Sequence, residues 1–244
     1  MAPTSTESPR VRAPARSDDP RSDDPRSDAT GPADVELVVA CLLLMPVVVA
    51  GMYLMARPGP TLLDHWAFAV IPTRPHARLL AAVTRMASPP VVLAGVAAGF
   101  LAVVRRDRAR GVAVVAGPAL AVVTSDWVMK PLVGRTFGGV LCFPSGTVVV
   151  VAALAAVAVL AAPARWRYGA GVVGGALVAM TALAVVALGW HYPTDALAGA
   201  ATGVGVVLAA DCAAHRVAAR LRYGALGAPD TGAAGPEVGR PPRH

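Results

Sequence analysis

Six long apolar runs, separated by short clusters of charged residues, limit what this chain of 244 residues can fold into. The runs cover residues 35–56, 86–104, 111–129, 147–162, 169–190 and 193–214. A helix of about 20 apolar residues crosses the hydrocarbon core of a bilayer, where the backbone must satisfy its own hydrogen bonds. The runs therefore predict an all-α fold, a polytopic membrane bundle of about six transmembrane helices whose fourth span is short.

The composition favours a membrane protein over a nucleic-acid-binding domain. Charged residues make up 15% of the chain and hydrophobic residues 55%, whereas a soluble domain carries about 25% charged residues. The net charge is +7, but the basic residues lie in the terminal segments and between the apolar runs, without interleaved aromatic residues. We therefore expect a membrane bilayer as a partner and no nucleic acid. The sequence leaves the oligomeric state open.

Polar terminal segments flank the apolar region. Residues 1–34 contain the repeat RSDDPRSDDPRSD, which has no apolar anchors and is predicted to form a disordered cytoplasmic tail. Residues 35–214 are predicted to form the membrane domain. Residues 215–244 are predicted to be a basic, mostly disordered C-terminal tail, rich in Gly, Pro and Ala from residue 224 onwards.

The distribution of arginine residues predicts the orientation. Arginine residues cluster after the second, fourth and sixth runs: Arg105, Arg106, Arg108, Arg110, Arg165, Arg167, Arg216, Arg220 and Arg222. Loops rich in Lys and Arg remain in the cytoplasm. Both termini would then be cytoplasmic, and residues 130–146 and 190–193 would share the extracytoplasmic face. We expect an integral plasma membrane protein.

The segment GWHYPTDALAG places two titratable residues, His191 and Asp195, at the start of the sixth run. Pro193 is suited to the first turn of a helix, and Asp195 would interact favourably with the helix dipole there. By accepting a hydrogen bond from one imidazole nitrogen, Asp195 would leave the other nitrogen free to act as a nucleophile. The alternative is an interfacial histidine in an aromatic belt, beside Trp190 and Tyr192.

Two further segments contain groups suited to bind an anion. In FPSGT, the residues Ser145, Gly146 and Thr147 precede the fourth run, and free N–H groups at a helix start attract phosphate. Lys130, the only lysine, and Arg135 follow the third run and could bind the phosphate charge. The alternatives are an ordinary helix cap and a local ion pair between Asp126 and Lys130.

These three segments, with KPLVGR, FPSG and GWHYPTDALAG as their best-matching parts, resemble the type 2 phosphatidic acid phosphatase superfamily, which is related to the vanadium haloperoxidases. The family signatures are Lys-x6-Arg-Pro, Pro-Ser-Gly-His and Ser-Arg-x5-His-x3-Asp. The resemblance implies a lipid phosphatase that needs no metal and no cofactor. His191 would form a phosphohistidine and Asp195 would orient it. Lys130, Ser145 and Gly146 would hold the phosphate group.

The chain departs from these signatures at several positions. Phe137 and Gly138 replace Arg-Pro, Thr147 replaces the histidine that acts as general acid, and Ala184 and Val185 replace Ser-Arg. Arg135 could take one phosphate-binding position, and His65 or His76 could supply a proton. The loss of a general acid would matter least for a pyrophosphate substrate.

The expected function is hydrolysis of a lipid phosphomonoester or pyrophosphate, of the phosphatidate, phosphatidylglycerol phosphate or polyprenyl phosphate class. The alternative is a catalytically impaired relative that binds lipid phosphate or acts as a scaffold. A transporter is disfavoured, because the chain does not divide into two matching halves with broken spans.

Overall fold

The computed structural model describes residues 32–71 and 77–226. Within these ranges the chain forms nine α-helices: α1 Pro32–Ala56, α2 Leu62–Val70, α3 Ala77–Thr84, α4 Pro89–Val103, α5 Arg108–Val122, α6 Lys130–Val133, α7 Gly146–Ala161, α8 Ala164–Ala187 and α9 Pro193–Leu226. A 3₁₀ turn, Arg85–Ala87, joins α3 to α4, and a π-helical segment, Val123–Met129, joins α5 to α6. Strands β1, Thr136–Phe137, and β2, Val140–Leu141, form an antiparallel hairpin.

The described residues include four helices that are long and apolar enough to cross a membrane, namely Asp34–Ala56, Arg108–Val133, Ala164–Ala187 and Pro193–Tyr223. The α3–α4 pair, bent by 46° at its break, brings the number to five if it counts as one span. A mostly helical fold, with four or five helices apolar enough to span a membrane, is thus confirmed. The count of six is not confirmed, because α7 has only 16 residues.

The last helix is longer than the sequence analysis predicts. It continues through the predicted end at Ala214 to Leu226, so residues 215–226 are helical and do not belong to a tail. The segment HRVAARLRY contains neither Gly nor Pro before Gly224, and its Ala, Arg and Leu residues favour helix. At the other end, α1 already begins at Pro32, with Asp34 in its first turn. The rest of the two predicted tails lies outside the described residues.

The short helix α7 lies at the centre of the bundle, packed against α4, α5, α8 and α9. Its buried side chains cover most of its circumference: Val148, Val149, Val151, Ala152, Ala153, Ala156, Val157 and Leu160. A helix of this length spans about 24 Å, less than the hydrocarbon core of about 30 Å. The residues just before it, Phe143, Pro144 and Ser145, are also buried. The N-terminus of α7 therefore begins inside the protein and not at its surface.

Two glycines of α9 allow it to lie directly against the backbone of α7. A Cβ atom at Gly199 would lie 2.7 Å from the carbonyl oxygen of Ser145. At Gly203, a Cβ atom would overlap the carbonyl oxygen of Val149 and lie 2.8 Å from the Cβ atom of Ala152. Such spacing of small residues is typical of closely packed membrane helices. It sets the distance between the starts of α7 and α9.

We predict that Gly203→Ala destabilises the protein, because the new methyl group meets backbone atoms of α7 that cannot move aside. An overpacked core typically costs about 1–3 kcal/mol. The thermal midpoint of the protein in detergent would fall accordingly. Gly175→Ala is the matched control, because Gly175 lies in α8 with no atom within 4 Å of its added Cβ atom. Equal midpoints for the two variants would contradict the close contact.

Candidate active site

The three segments that carry the resemblance meet at one end of the bundle. The backbone N–H of Ser145, at the start of α7, donates to the carbonyl oxygen of Asp195, in the first turn of α9. The Nζ atom of Lys130 lies 3.4 Å from the position of a Cβ atom at Gly146. The imidazole of His191 contacts the carbonyl oxygen of Cys142, which precedes FPSG. The bundle therefore brings together groups that are far apart in sequence.

Local turn chemistry produces these positions. Gly134 ends α6 with a left-handed backbone, at φ 66°. Gly138 and Gly139 both have positive φ, 58° and 83°, as the two central residues of a tight hairpin turn require. This hairpin returns the chain towards α6, so that the N–H of Cys142 donates to the carbonyl oxygen of Arg135. The chain can then enter α7 beside Lys130.

His191 is held through one ring nitrogen and is largely buried, with 13% of its side chain exposed. Its Nδ1 atom lies 2.9 Å from the carbonyl oxygen of Cys142. A carbonyl oxygen only accepts hydrogen bonds, so Nδ1 carries a proton, and the neutral tautomer with this proton has its lone pair on Nε2. Nε2 makes no hydrogen bond with any described residue. This tautomer is the one that a nucleophilic imidazole requires.

The structure differs from the sequence analysis in the group that orients this ring. The carboxylate of Asp195 lies 3.8 Å from Nδ1 of His191, beyond hydrogen-bond distance. Its Oδ2 atom instead accepts the backbone N–H of Tyr192, at 3.0 Å, and so caps the start of α9. The cap and the ion pair described below hold the carboxylate away from the imidazole, and the Cys142 carbonyl takes its place there.

The start of α7 offers hydrogen-bond donors without acceptors. Gly146, Thr147 and Val148 occupy the first turn, where backbone N–H groups have no partner within the helix. The hydroxyl oxygen of Ser145 is fully buried and has no hydrogen-bond partner among the described residues. Leaving a buried hydroxyl unpaired costs about 1–3 kcal/mol. Donors of this kind, at the start of a helix, are suited to the oxygens of an anion.

Lys130 lies beside the start of α7, but a carboxylate of the protein neutralises its positive charge. Its Nζ atom is 2.7 Å from Oδ1 of Asp126, one turn earlier in the same helix. The same oxygen lies 3.0 Å from the position of a Cβ atom at Gly146. The π-helical segment, which contains Asp126, sets this alignment. The expected local ion pair is therefore present, and its carboxylate lies beside the start of α7.

Arg135 is entirely buried, and all five of its N–H donors are used by protein oxygens. Two are carboxylates, Asp195 at 2.6 Å and Asp64 at 2.7 Å. The others are the hydroxyl of Thr194 and two carbonyl groups, those of Pro58 and Gly59. A guanidinium with five donors has none left for phosphate. The expected phosphate-binding role of Arg135 is thus replaced by a structural one.

The partners of Arg135 keep the cluster ionised. Burial alone would raise the pKa of Asp64, but hydrogen bonds from the backbone N–H groups of Thr61 and Thr194 and from Arg135 lower it overall. Burial would lower the pKa of Arg135, yet its two carboxylate partners raise it. Because the folded-state pKa of Asp64 is depressed, its contribution to stability is present above about pH 4 and is lost on further acidification.

The positions that depart from the family signatures are filled by apolar packing. Phe137, in place of an arginine, contacts Tyr192 edge to face, with ring centroids 4.6 Å apart. The ring of Tyr192 in turn covers the guanidinium of Arg135 at 4.0 Å. Val185, in place of the other arginine, is fully buried in the bundle core. No cation is therefore restored at either position.

The remaining candidate groups are a cysteine thiol, two histidines and any cluster of metal-binding side chains. Burial and the charge of Asp195 raise the pKa of the Cys142 thiol, which therefore stays protonated. His65 is exposed on α2, without a partner among the described residues, and His76 lies outside those residues. No group of three or more His, Cys, Asp or Glu side chains within residues 32–71 and 77–226 is placed to hold a metal ion.

Sequence reasoning missed Asp64, Thr194 and the carbonyl group of Cys142. Asp64 had one detectable signal, because Thr61 and Asp64 have the spacing of a capping box and do form one. Thr194, beside the predicted Asp195, donates both its backbone N–H and its hydroxyl to Asp64. A backbone carbonyl as partner of His191 leaves no trace in the sequence.

We predict that Arg135→Met strongly destabilises the protein, because two buried carboxylates would lose their counter-charge. Breaking a buried ion pair from one side typically costs about 3–5 kcal/mol. Thermal unfolding in detergent would measure the loss. Arg57→Met is the control, because Arg57 is exposed at the same end of the bundle. If both variants unfold at the wild-type temperature, the network around Arg135 does not support the fold.

Comparisons with known proteins assign no family to this chain. No protein-family model, no curated protein and no solved structure matches it. The resemblance described from KPLVGR, FPSG and GWHYPTDALAG therefore depends on those residues alone. The case for a function depends on the contacts described above.

Proposed function

We propose that the chain is a membrane phosphatase or pyrophosphatase that hydrolyses a lipid phosphomonoester or pyrophosphate, with His191 as nucleophile. The substrate would be of the phosphatidate, phosphatidylglycerol phosphate or polyprenyl phosphate class. One observation carries the proposal. The imidazole of His191, whose Nε2 atom is free, contacts the carbonyl oxygen of Cys142, and the FPSG segment leads from Cys142 to the start of α7. The unpaired Ser145 hydroxyl and Lys130 lie at that helix start.

The chemistry would proceed in two displacements. Nε2 of His191 attacks phosphorus, the bond from phosphorus to the leaving oxygen breaks, and a phosphohistidine forms. Water then attacks that phosphorus, the bond from phosphorus to Nε2 breaks, and the proton from water leaves with inorganic phosphate, which restores the imidazole. The N–H groups of the first turn of α7, the Ser145 hydroxyl and Lys130 would stabilise the charge on the phosphoryl oxygens. Arg135 and Asp195 would act as positioning residues, since they touch no substrate atom in this arrangement.

The leaving group decides which substrate suits this site best. Thr147, where the family has its acid, is half-buried at the second position of α7, and a hydroxyl does not donate a full proton near neutral pH. Without a general acid, departure of an alkoxide slows by about 10²–10⁴-fold. A phosphate ester leaving from a pyrophosphate needs no such proton. The proposal therefore favours a lipid pyrophosphate over a phosphomonoester.

The location follows from the distribution of charge along the chain. We place the site at the extracytoplasmic face of the plasma membrane, with both termini cytoplasmic, because the arginine-rich loops belong to the opposite end of the bundle. A lipid substrate would keep its tail in the bilayer and present its phosphate to the start of α7. A membrane bilayer and a lipid phosphate are the proposed partners.

A second candidate function is binding of lipid phosphate without turnover. The Asp126 carboxylate, paired with Lys130 beside the start of α7, favours it, as do the apolar side chains of Phe137 and Val185 at two positions where the family has arginine. Such a site would hold phosphate only by displacing that carboxylate. The two candidates differ in whether phosphate is released.

We predict that purified protein releases inorganic phosphate from a polyprenyl pyrophosphate in the presence of a metal chelator. His191→Ala would reduce the rate by at least about 10³-fold, because the nucleophile is removed. A colorimetric phosphate assay over several lipid phosphates measures this rate. Trp166→Ala is the control, because Trp166 is exposed near the start of α8, at the opposite end of the bundle. An unchanged rate in His191→Ala excludes the phosphohistidine. Phosphate binding without release, in wild type and variant alike, supports the second candidate.

We predict that Asp126→Asn tightens the binding of inorganic phosphate, because Lys130 is released from its carboxylate partner. The expected gain is about fivefold in Kd, corresponding to about 1 kcal/mol for a partly exposed ion pair. Isothermal titration of the detergent-solubilised protein measures it. Asp34→Asn, an exposed carboxylate in the first turn of α1, serves as control. Weaker binding by Asp126→Asn would mean that Asp126 helps to hold the ligand.

A further inference from the structure

A cavity lies at the end of the bundle opposite to His191. Its volume is about 530 Å³, and it is formed where the turn between α4 and α5 meets the last turns of α9. With a helical rise of 1.5 Å per residue, His215 in its wall lies about 33 Å from Pro193 along α9. We call this space the basic cavity. The proposed hydrolysis uses none of its residues.

The basic cavity holds a concentration of positive charge that the protein does not neutralise. Four arginines line it: Arg105, Arg106, Arg108 and Arg222. Arg106 donates to backbone carbonyl groups of Ala102 and Ala161. The other three are exposed, and they form no hydrogen bond or ion pair with any residue that the structure describes. Like charges gathered around one space repel each other unless an anion enters.

The one carboxylate in the wall, that of Asp107, is already fully used. Its Oδ1 atom accepts the backbone N–H of Arg110 and caps α5. Its Oδ2 atom lies 2.9 Å from Nε2 of His215, whose Nδ1 donates to the carbonyl oxygen of Asp211. Both ring nitrogens thus face acceptors, as they do in an imidazolium. Asp107 is therefore not available to neutralise the arginines.

A buried ionic network holds the walls of the basic cavity in place. Asp211 of α9 is fully buried and accepts three hydrogen bonds from the guanidinium of Arg110 in α5, at 3.0–3.3 Å. Glu36 of α1 lies 3.7 Å from the same guanidinium. These contacts fix α5 against α9 directly beneath the cavity. The arginines are therefore carried by helices that are held against each other at the base of the cavity.

We propose that the basic cavity binds a phosphate group, carried either by the headgroup of an anionic phospholipid or by a soluble phosphate compound. Guanidinium groups bind phosphate oxygens through paired N–H donors, and the volume accommodates a phosphate with part of its ester group. The cavity lies at the ends of apolar helices, at the level where lipid headgroups meet a membrane protein. This site is independent of the proposed hydrolysis.

Binding of short-chain lipids to the full-length protein in detergent tests this proposal. The probes are dihexanoyl phosphatidylglycerol, dihexanoyl phosphatidylcholine, glycerol 3-phosphate and inorganic phosphate. The double variant Arg105→Gln/Arg222→Gln would weaken the binding of phosphatidylglycerol or of the soluble phosphates, whichever binds the wild type, at least about tenfold. The reason is that two charge-assisted contacts are lost. Arg220→Gln would change Kd less than about twofold, since Arg220 lies on α9 outside the basic cavity. Equal melting temperatures without ligand would show that each variant is folded.

The ligands separate the two sources of the phosphate. Preference for phosphatidylglycerol over both soluble phosphates, lost in the double variant, supports a lipid headgroup. Equal binding of glycerol 3-phosphate or inorganic phosphate, also lost in the double variant, supports a soluble ligand. In a Lys130→Gln background the double substitution would cause the same loss of binding, because Lys130 lies at the opposite end of the bundle, and this separates the basic cavity from the proposed active site. Absence of binding, equal binding of phosphatidylcholine, or equal loss in Arg220→Gln overturns the proposal.

Discussion

The ion pairs of the buried Arg135 guanidinium with Asp64 and Asp195 hold together the end of the bundle that contains the candidate site. A buried charge without partners costs several kcal/mol, so its acceptors must be present and correctly placed. They come from the loop before α2, from α2 and from the first turn of α9. No backbone ladder joins these segments, and the side chain of Arg135 does so instead. Because Thr194 and Asp195 are among its partners, the same interaction fixes where α9 starts and hence where His191 lies.

This network also decides which group orients the imidazole of His191. In a catalytic triad the carboxylate stabilises the charge that develops on histidine. Here Asp195 is committed to Arg135 and to the backbone of Tyr192, and a neutral carbonyl holds the ring. Orientation and tautomer are preserved, but the electrostatic support is weaker. For the proposed nucleophile, weaker support would suit a substrate with a good leaving group, in agreement with the pyrophosphate preference proposed from Thr147.

Much of this arrangement can be predicted from local sequence, and the rest depends on distant partners. The apolar runs, the start of α7 after FPSG and the start of α9 at Pro193 follow from hydropathy and helix-start signals. The ion pair of Lys130 with Asp126 follows from their spacing on one helix. The pairing of Arg135 with Asp64 joins residues 71 positions apart, so no local pattern contains it. The sequence predicts an end of the sixth helix at Ala214, where the apolar run stops. The following residues still favour helix, and α9 continues to Leu226.

Both ends of the bundle pair buried cations with carboxylates, Arg135 at one end and Arg110 at the other, but the basic cavity also has exposed arginines without carboxylate partners among the described residues. This difference has a physical cause. An apolar bundle cannot screen a charge, so each end must neutralise its own charges or leave them in contact with solvent, headgroups or a ligand. At the site end the described cations inside the protein have carboxylate partners: Arg135 has two and Lys130 has one. At the other end, arginines line the basic cavity without such partners. An anion entering the basic cavity gains attraction directly. An anion entering the site must first displace Asp126 from Lys130, so binding there depends on how well the first turn of α7 and the Ser145 hydroxyl compensate for the lost ion pair.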